Sequence, residues 1–153
     1  MSLVKPEPPD PNFDRRVRDS FGRQRLMATI GARIVSVAPG EVVIELPWRE
    51  DLGQQHGVLH AGAIASVADS ACGYAALSMM PAGAGVMSVE FKVNLLAPGR
   101  GDRFIARGRV RRTGRTLTVC EGTVRAIRDG ADREIAIMTA TMIRVEGRPG
   151  IAD

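Results

Sequence analysis

Residues Ala61 to Met79 are dominated by Ala, Ser, Leu and Met, with apolar side chains on nearly every helical face, and Pro81 closes the run. A helix that is apolar on most faces has to be buried, so the rest of the chain must wrap around it. At ~1.5 Å per residue it is about 28 Å long. One side chain breaks its pattern. Apart from His56 and His60, Asp69 is the only acidic or basic residue between Asp51 and Glu90, and no Lys or Arg lies within a helical turn of it. Burying a lone carboxylate is costly unless it is paired or hydrogen-bonded. Asp69 shares a stripe with Ser66, Ser70 and Gly73. It is a structural carboxylate that caps backbone groups elsewhere, one that simply reaches solvent, or a base or nucleophile aimed into a cleft.

What surrounds the helix reads mostly as strands. Ala32 to Val37 and Val42 to Leu46 flank a Pro-Gly turn and predict a hairpin. After Gly85, Val89, Phe91, Val93 and Leu95 alternate with Ser88, Glu90, Lys92 and Asn94. Phe104 to Val110, Leu117 to Ile127 and Ile135 to Val145 supply three more strands, separated by short turns, so the last four strands predict an antiparallel meander. The last strand is apolar on both faces and calls for cover on both sides. Phe13 to Ile30 predicts a basic amphipathic helix, weakened at Gly22 and stopped at Gly31. The sum is an α+β architecture: about six strands in a curved antiparallel sheet around one long helix, with an N-terminal helix.

The 153 residues suffice for one domain. Residues 1–12, with four prolines and no apolar core of a signal peptide, predict a flexible tail; residues 13–147 form the domain and 148–153 a second tail. A net charge of +4 suits an anionic small molecule, while scarce aromatics and the lack of a helix-turn-helix, finger or RNP pattern argue against a nucleic-acid partner. No segment has the character of a membrane span. Cys72 and Cys120 have no CxxC or metal-ligand spacing and read as buried, reduced thiols, which fits a cytoplasmic setting and no metal.

The polar loop Trp48 to His60 leads into the apolar helix. Gln54, His56, Gly57, His60 and Gly62 crowd just ahead of, or into, its first turn. A helix N-terminus offers unpaired amides and partial positive charge that can hold a developing oxyanion. Small residues at Ala61, Gly62 and Ala63 let a carbonyl approach that backbone. Free amides at the start and a carboxylate about two turns in are two of the parts an acyl-transfer site needs. No Gly-x-Ser-x-Gly, His-Glu-x-x-His, GxGxxG or P-loop pattern is present.

The stretch from Leu52 to Ala71 resembles the signature of PaaI-like hotdog thioesterases: Gln54, Gly57, then His60-Ala61-Gly62 where the family has His-Gly-Gly, then an acid nine positions after the His, Asp69. Ser88 to Pro98 and Arg112-Thr113-Gly114-Arg115-Thr116-Leu117 look like further family blocks. The resemblance covers roughly residues 30 to 145, and Ala61 is its one clear departure. It implies a hotdog fold that hydrolyses acyl-CoA to a carboxylic acid and free CoA, without metal or organic cofactor. It implies a homodimer or dimer of dimers with the site at the subunit interface. Asp69 would be general base or nucleophile, Gln54 would orient water or thioester, His60 would bind or position, the Ala61 and Gly62 amides would polarise the carbonyl, and Ser88 would support the attacking group. Gly57, Ser70, Leu95 and the 112–117 turn would bind substrate, with Arg112 and Arg115 on CoA phosphates. Two alternatives stay open: a non-catalytic acyl-CoA-binding hotdog protein, and a dehydratase or hydratase on the same fold.

Overall fold

In the computed structural model, which describes residues 6–153, the apolar run folds as helix α3 (Ala61–Leu77). Two shorter helices precede it, α1 (Phe13–Arg23) and α2 (Arg25–Ile30), together with the strands β1 (Arg33–Ala38) and β2 (Glu41–Pro47). Four strands follow: β3 (Gly85–Leu95), β4 (Arg103–Thr113), β5 (Leu117–Arg128) and β6 (Ala131–Val145). All pairings are antiparallel, in the order β1-β2-β4-β5-β6-β3.

That order corrects the expected four-strand meander. Only β4, β5 and β6 form one; β3 lies beyond β6, at the sheet edge. The link from residue 96 to 102 has to pass β5 and β6 to reach β4. Three strand spacings amount to ~14 Å, and seven extended residues reach ~23 Å, so a short link suffices. β6 is therefore covered in the sheet plane by β5 and β3, and its outer face still leaves Ile137 exposed.

Helix and sheet meet along small residues. A Cβ at Gly108 of β4 would lie 2.2 Å from the carbonyl of Ala71, so only glycine allows α3 to cross there. Gly108 pairs with Gly122 of β5, where a Cβ would come within 3.0 Å of Cys72 Sγ. Around this crossing, Val67, Phe104, Val124, Ile135 and Met142 complete a solvent-free core. Cys72 and Cys120 are buried free thiols, and burial pushes both up, Cys120 to about 12.

Helix α3 ends two residues before the expected Met79. Arg16 gathers the carbonyls at and just beyond its end, donating to Leu77 O (2.8 Å), Met80 O (2.8 Å) and Pro81 O (2.5 Å), and pairs with Asp10 at 3.4 Å. A cation at a helix C-terminus satisfies orphan carbonyls and the macrodipole together. Asp10, placed in the N-terminal tail by sequence, is thus buried; residues 1–5 of that tail lie outside the described residues. The C-terminal segment also has contacts: Asp153 accepts from Ser20 Oγ (2.7 Å) and from the Val86 amide (3.0 Å).

The single helix expected over Phe13 to Ile30 is divided. Gln24 is extended (φ −78°, ψ 101°), while Gly22 stays helical and Gly31 ends α2 at φ +79°. Among the described residues, no helix is long and apolar enough to cross a membrane.

Candidate active site

Asp69 sits midway along α3 and faces Ser88 of β3, whose Oγ donates to Asp69 Oδ1 at 2.7 Å. The strand alternation alone would turn Ser88 outward with Glu90 and Lys92. A β-bulge at Val89 reverses that parity: Phe91 pairs with Ala140, yet Ser88 pairs with the fully buried Met142 and points at the helix. Ser88 has one hydroxyl proton and spends it on the carboxylate, so its 3.4 Å approach to Met142 Sδ is a packing contact. Asp69 Oδ2 accepts from no donor among the described residues. No Arg or Lys pairs with Asp69 among the described residues, so the carboxylate is not tied into a salt link. Asp69, Ser70 and Ser88 line one cleft of about 430 Å³, with Gln24, Tyr74 and the segment Gly150–Asp153 on its other walls.

A second cleft, about 570 Å³, opens at the start of α3. It gathers Gln54, His60, Ala61 and Leu95, with Leu96 to Gly99 opposite. The loop before the helix is pinned on both sides: the Leu59 amide donates to Gly99 O and the His60 amide to Leu52 O, each at 2.9 Å. Gln54 closes a tight turn, receiving the Gly57 amide on its carbonyl (3.0 Å) and the His56 amide on its side-chain oxygen. Gly57 is exposed at φ +74° and serves that turn; it is absent from the lining of either cleft.

His60 is the N-cap. Its Nδ1 accepts from the Gly62 amide at 2.8 Å, which fixes the ring proton on Nε2 in the neutral form. A Cβ at Gly62 would press within 3.0 Å of that nitrogen. The Gly62 amide, expected as an oxyanion donor, is therefore already committed in this structure. The Ala61 amide donates to no acceptor among the described residues and remains open to the cleft.

Within one chain the two halves stay apart. From Ala61 to Asp69 the helix rises ~12 Å, too far for both to touch one carbonyl. The 112–117 turn lines neither cleft. It is exposed, closed by the Gly114 amide on Leu117 O (2.8 Å), and Arg112 and Arg115 make no ion pair among the described residues. The cross-strand row Thr118–Met142–Ser88 puts this turn at the Asp69 end of the sheet. Sequence reasoning missed Gln24, Ser20 and Tyr74, which line the Asp69 cleft from distant parts of the chain without any local motif.

Between the clefts, β3 is a bare edge. Met87, Val89, Phe91 and Leu95 are 50%, 54%, 44% and 52% exposed. An uncovered edge with apolar side chains is a pairing surface.

A family profile described as the thioesterase superfamily matches residues 56–131. A solved thioesterase family protein from Silicibacter pomeroyi is 53% identical, with a TM-score of 0.87 over 88% of this chain and 99% of that one. A protein of Saccharolobus solfataricus, provisionally named an esterase, is 35% identical over 92 residues; that alignment spans 60% of this chain and 65% of the relative's own length. The PaaI protein of E. coli, from the phenylacetic acid degradation operon, superposes with a TM-score of 0.78 at 21% identity, over 89% of this chain and 95% of that one, a likeness of fold.

Proposed function

The chain belongs to the thioesterase superfamily, with the PaaI-like hotdog fold, and from that premise we propose that it hydrolyses acyl-CoA thioesters at a site assembled from two copies of itself. The observation that carries this reading is the separation of two complementary half-sites along one helix. One holds a carboxylate with a free oxygen, the other an open helix-start amide, and the edge strand between them is exposed.

β3 spans both halves: Ser88 touches Asp69, and Leu95 lines the Gln54–Ala61 cleft. If a second copy pairs antiparallel about a two-fold axis at Phe91, Phe91 of the two chains face each other and Ser88 of one chain falls opposite Asn94 of the other, beside Leu95. Each Asp69 then meets the partner's helix start. The same pairing covers the bare edge.

In that composite site the Ala61 amide, backed by the helix dipole, stabilises the negative charge that develops on the thioester oxygen. One such donor is worth about 3 kcal/mol in acyl transfer. Asp69 Oδ2 takes a proton from water as the water oxygen bonds to the carbonyl carbon, or bonds to that carbon itself to form an acyl anhydride that water then cleaves to the free acid and the Asp69 carboxylate. In either case the C–S bond breaks, and the sulfur leaves as CoA thiolate and gains a proton. Gln54 holds water or thioester, His60 keeps the helix start in shape, and Ser88 holds Asp69 in one rotamer. Arg112 and Arg115, free of ion pairs among the described residues, would pair with CoA phosphates.

Asp69→Asn tests the reading in a free-thiol release assay on acyl-CoA. The variant keeps the melting temperature and loses turnover by at least about 1,000-fold, in line with removal of a catalytic base or nucleophile. Unchanged turnover would refute it. Binding without turnover by the native protein across a panel of acyl-CoA esters would instead support the non-catalytic binder.

A further inference from the structure

Gln24 interrupts a helix that sequence carries straight through. It is neither Gly nor Pro, its φ/ψ are unstrained, and its side chain does not cap α2. The break gives up helical hydrogen bonds, so something outside the helix repays it. Among the described residues its one side-chain hydrogen bond is with α3: Ser70 Oγ donates to Gln24 Oε1 at 3.2 Å. Ser70 adjoins Asp69, and Gln24 lines the Asp69 cleft. Local rules that fail at one residue beside a reaction centre point to function.

The protons on that wall can be counted. Ser20 has one, and its 2.7 Å contact to the Asp153 carboxylate takes it. The 3.3 Å contact between Ser20 and Tyr74 is then filled by the Tyr74 proton. Ser70 spends its proton on Gln24 and Ser88 on Asp69. The Gln24 carboxamide nitrogen, by contrast, donates to nothing among the described residues, and Ser70 fixes its other atom.

We propose that Gln24 is a specificity-determining residue that donates a hydrogen bond from Nε2 to an oxygen on the acyl chain, so that the enzyme prefers acyl thioesters bearing a hydroxyl or keto oxygen over unsubstituted ones. The inference rests on the reading of the Asp69 cleft as the hydrolytic site. A site built to hydrogen-bond a substrate oxygen discriminates against the analogue that lacks it, because its donor is left unpaired. In a cleft open to water the preference is about tenfold, the worth of one net hydrogen bond.

The test compares kcat/KM for 3-ketoacyl-CoA, whose keto oxygen only accepts, and the matching unsubstituted acyl-CoA, in the native enzyme and in two variants. Gln24→Leu keeps the size and removes both polar atoms. Gln24→Glu keeps the acceptor for Ser70 and removes the donor. The native enzyme favours the keto ester about tenfold, and both variants bring the ratio near one. A merely structural role would lower both substrates together and leave the ratio alone. A native ratio near one, or a ratio that survives in Gln24→Glu, overturns the inference while leaving hydrolysis at Asp69 standing. No thiol release from either ester, with Asp69→Asn indistinguishable from the native protein, overturns both.

Discussion

Ser88 Oγ reaches Asp69 Oδ1 at 2.7 Å only because Val89 is an extra residue in its strand: the bulge turns a side chain that belongs to the outer face toward the helix. The contact leaves the second carboxylate oxygen free and fixes the carboxylate plane. Strand and helix thereby act as one unit, with β3 positioning the group that α3 carries.

Ser88→Ala removes that restraint. A hydrogen bond to a charged group is worth about 1.5–3 kcal/mol, so kcat falls roughly 10- to 100-fold. KM stays within about twofold, since Ser88 acts through Asp69 and not on the bound acyl group. Ser88→Thr retains the hydroxyl and restores most of the rate. Steady-state kinetics of the two variants check this.

Phe91→Lys tests the edge. In the proposed pairing, residue 91 of one copy lies directly opposite residue 91 of the other, so the variant sets two lysines against each other, and like charges directly across strands repel. The variant dissociates to monomer at micromolar concentration in light scattering. Its activity per chain then rises with protein concentration, whereas the native activity per chain does not.

Glu45 contributes to the loss of stability in acid. Its side chain is 8% exposed and accepts from Arg103 Nη1 at 3.0 Å and from Arg33. Burial pushes its carboxyl up, but the bonds from Arg103 and Arg33 outweigh this and hold it below the ordinary carboxylate range. A depressed value means that stabilisation is present at neutral pH and is lost as pH falls through the folded-state value. Glu45→Gln therefore melts a few degrees below the native protein at neutral pH, and the gap narrows in acid. Thermal melts across pH measure it.

The fold was legible where one residue type dominates a face. Ala-rich α3 with its terminal Pro81, and the alternation in β4, announce themselves. So does Asp69, because no other charge is near it. What escaped depends on contacts between distant segments. The Val89 bulge cannot be seen in a strand whose alternation is unbroken on paper, and Ser88 reads as an outer-face residue until β6 fixes the register. The split at Gln24 has no Gly or Pro to mark it and is settled by Ser70, which follows 46 residues later. Strand order escaped for a similar reason: short turns suggested neighbours, but the link after Leu95 is long enough to bypass two strands. His60, expected to bind, position or cap, takes the Gly62 amide on Nδ1 and caps the helix start.

The most direct test of a site shared between chains is complementation. Asp69→Asn and Gln54→Ala chains, each nearly inactive alone, are unfolded together, refolded in equal amounts and assayed for thiol release. If Asp69 of one copy works with the helix start of the other, half of the random dimers are mixed, and each mixed dimer carries one intact site, so about a quarter of native activity returns. If the mixture does no better than the average of the two variants, Asp69 and Gln54 serve the same chain's site, and the shared-site account is wrong.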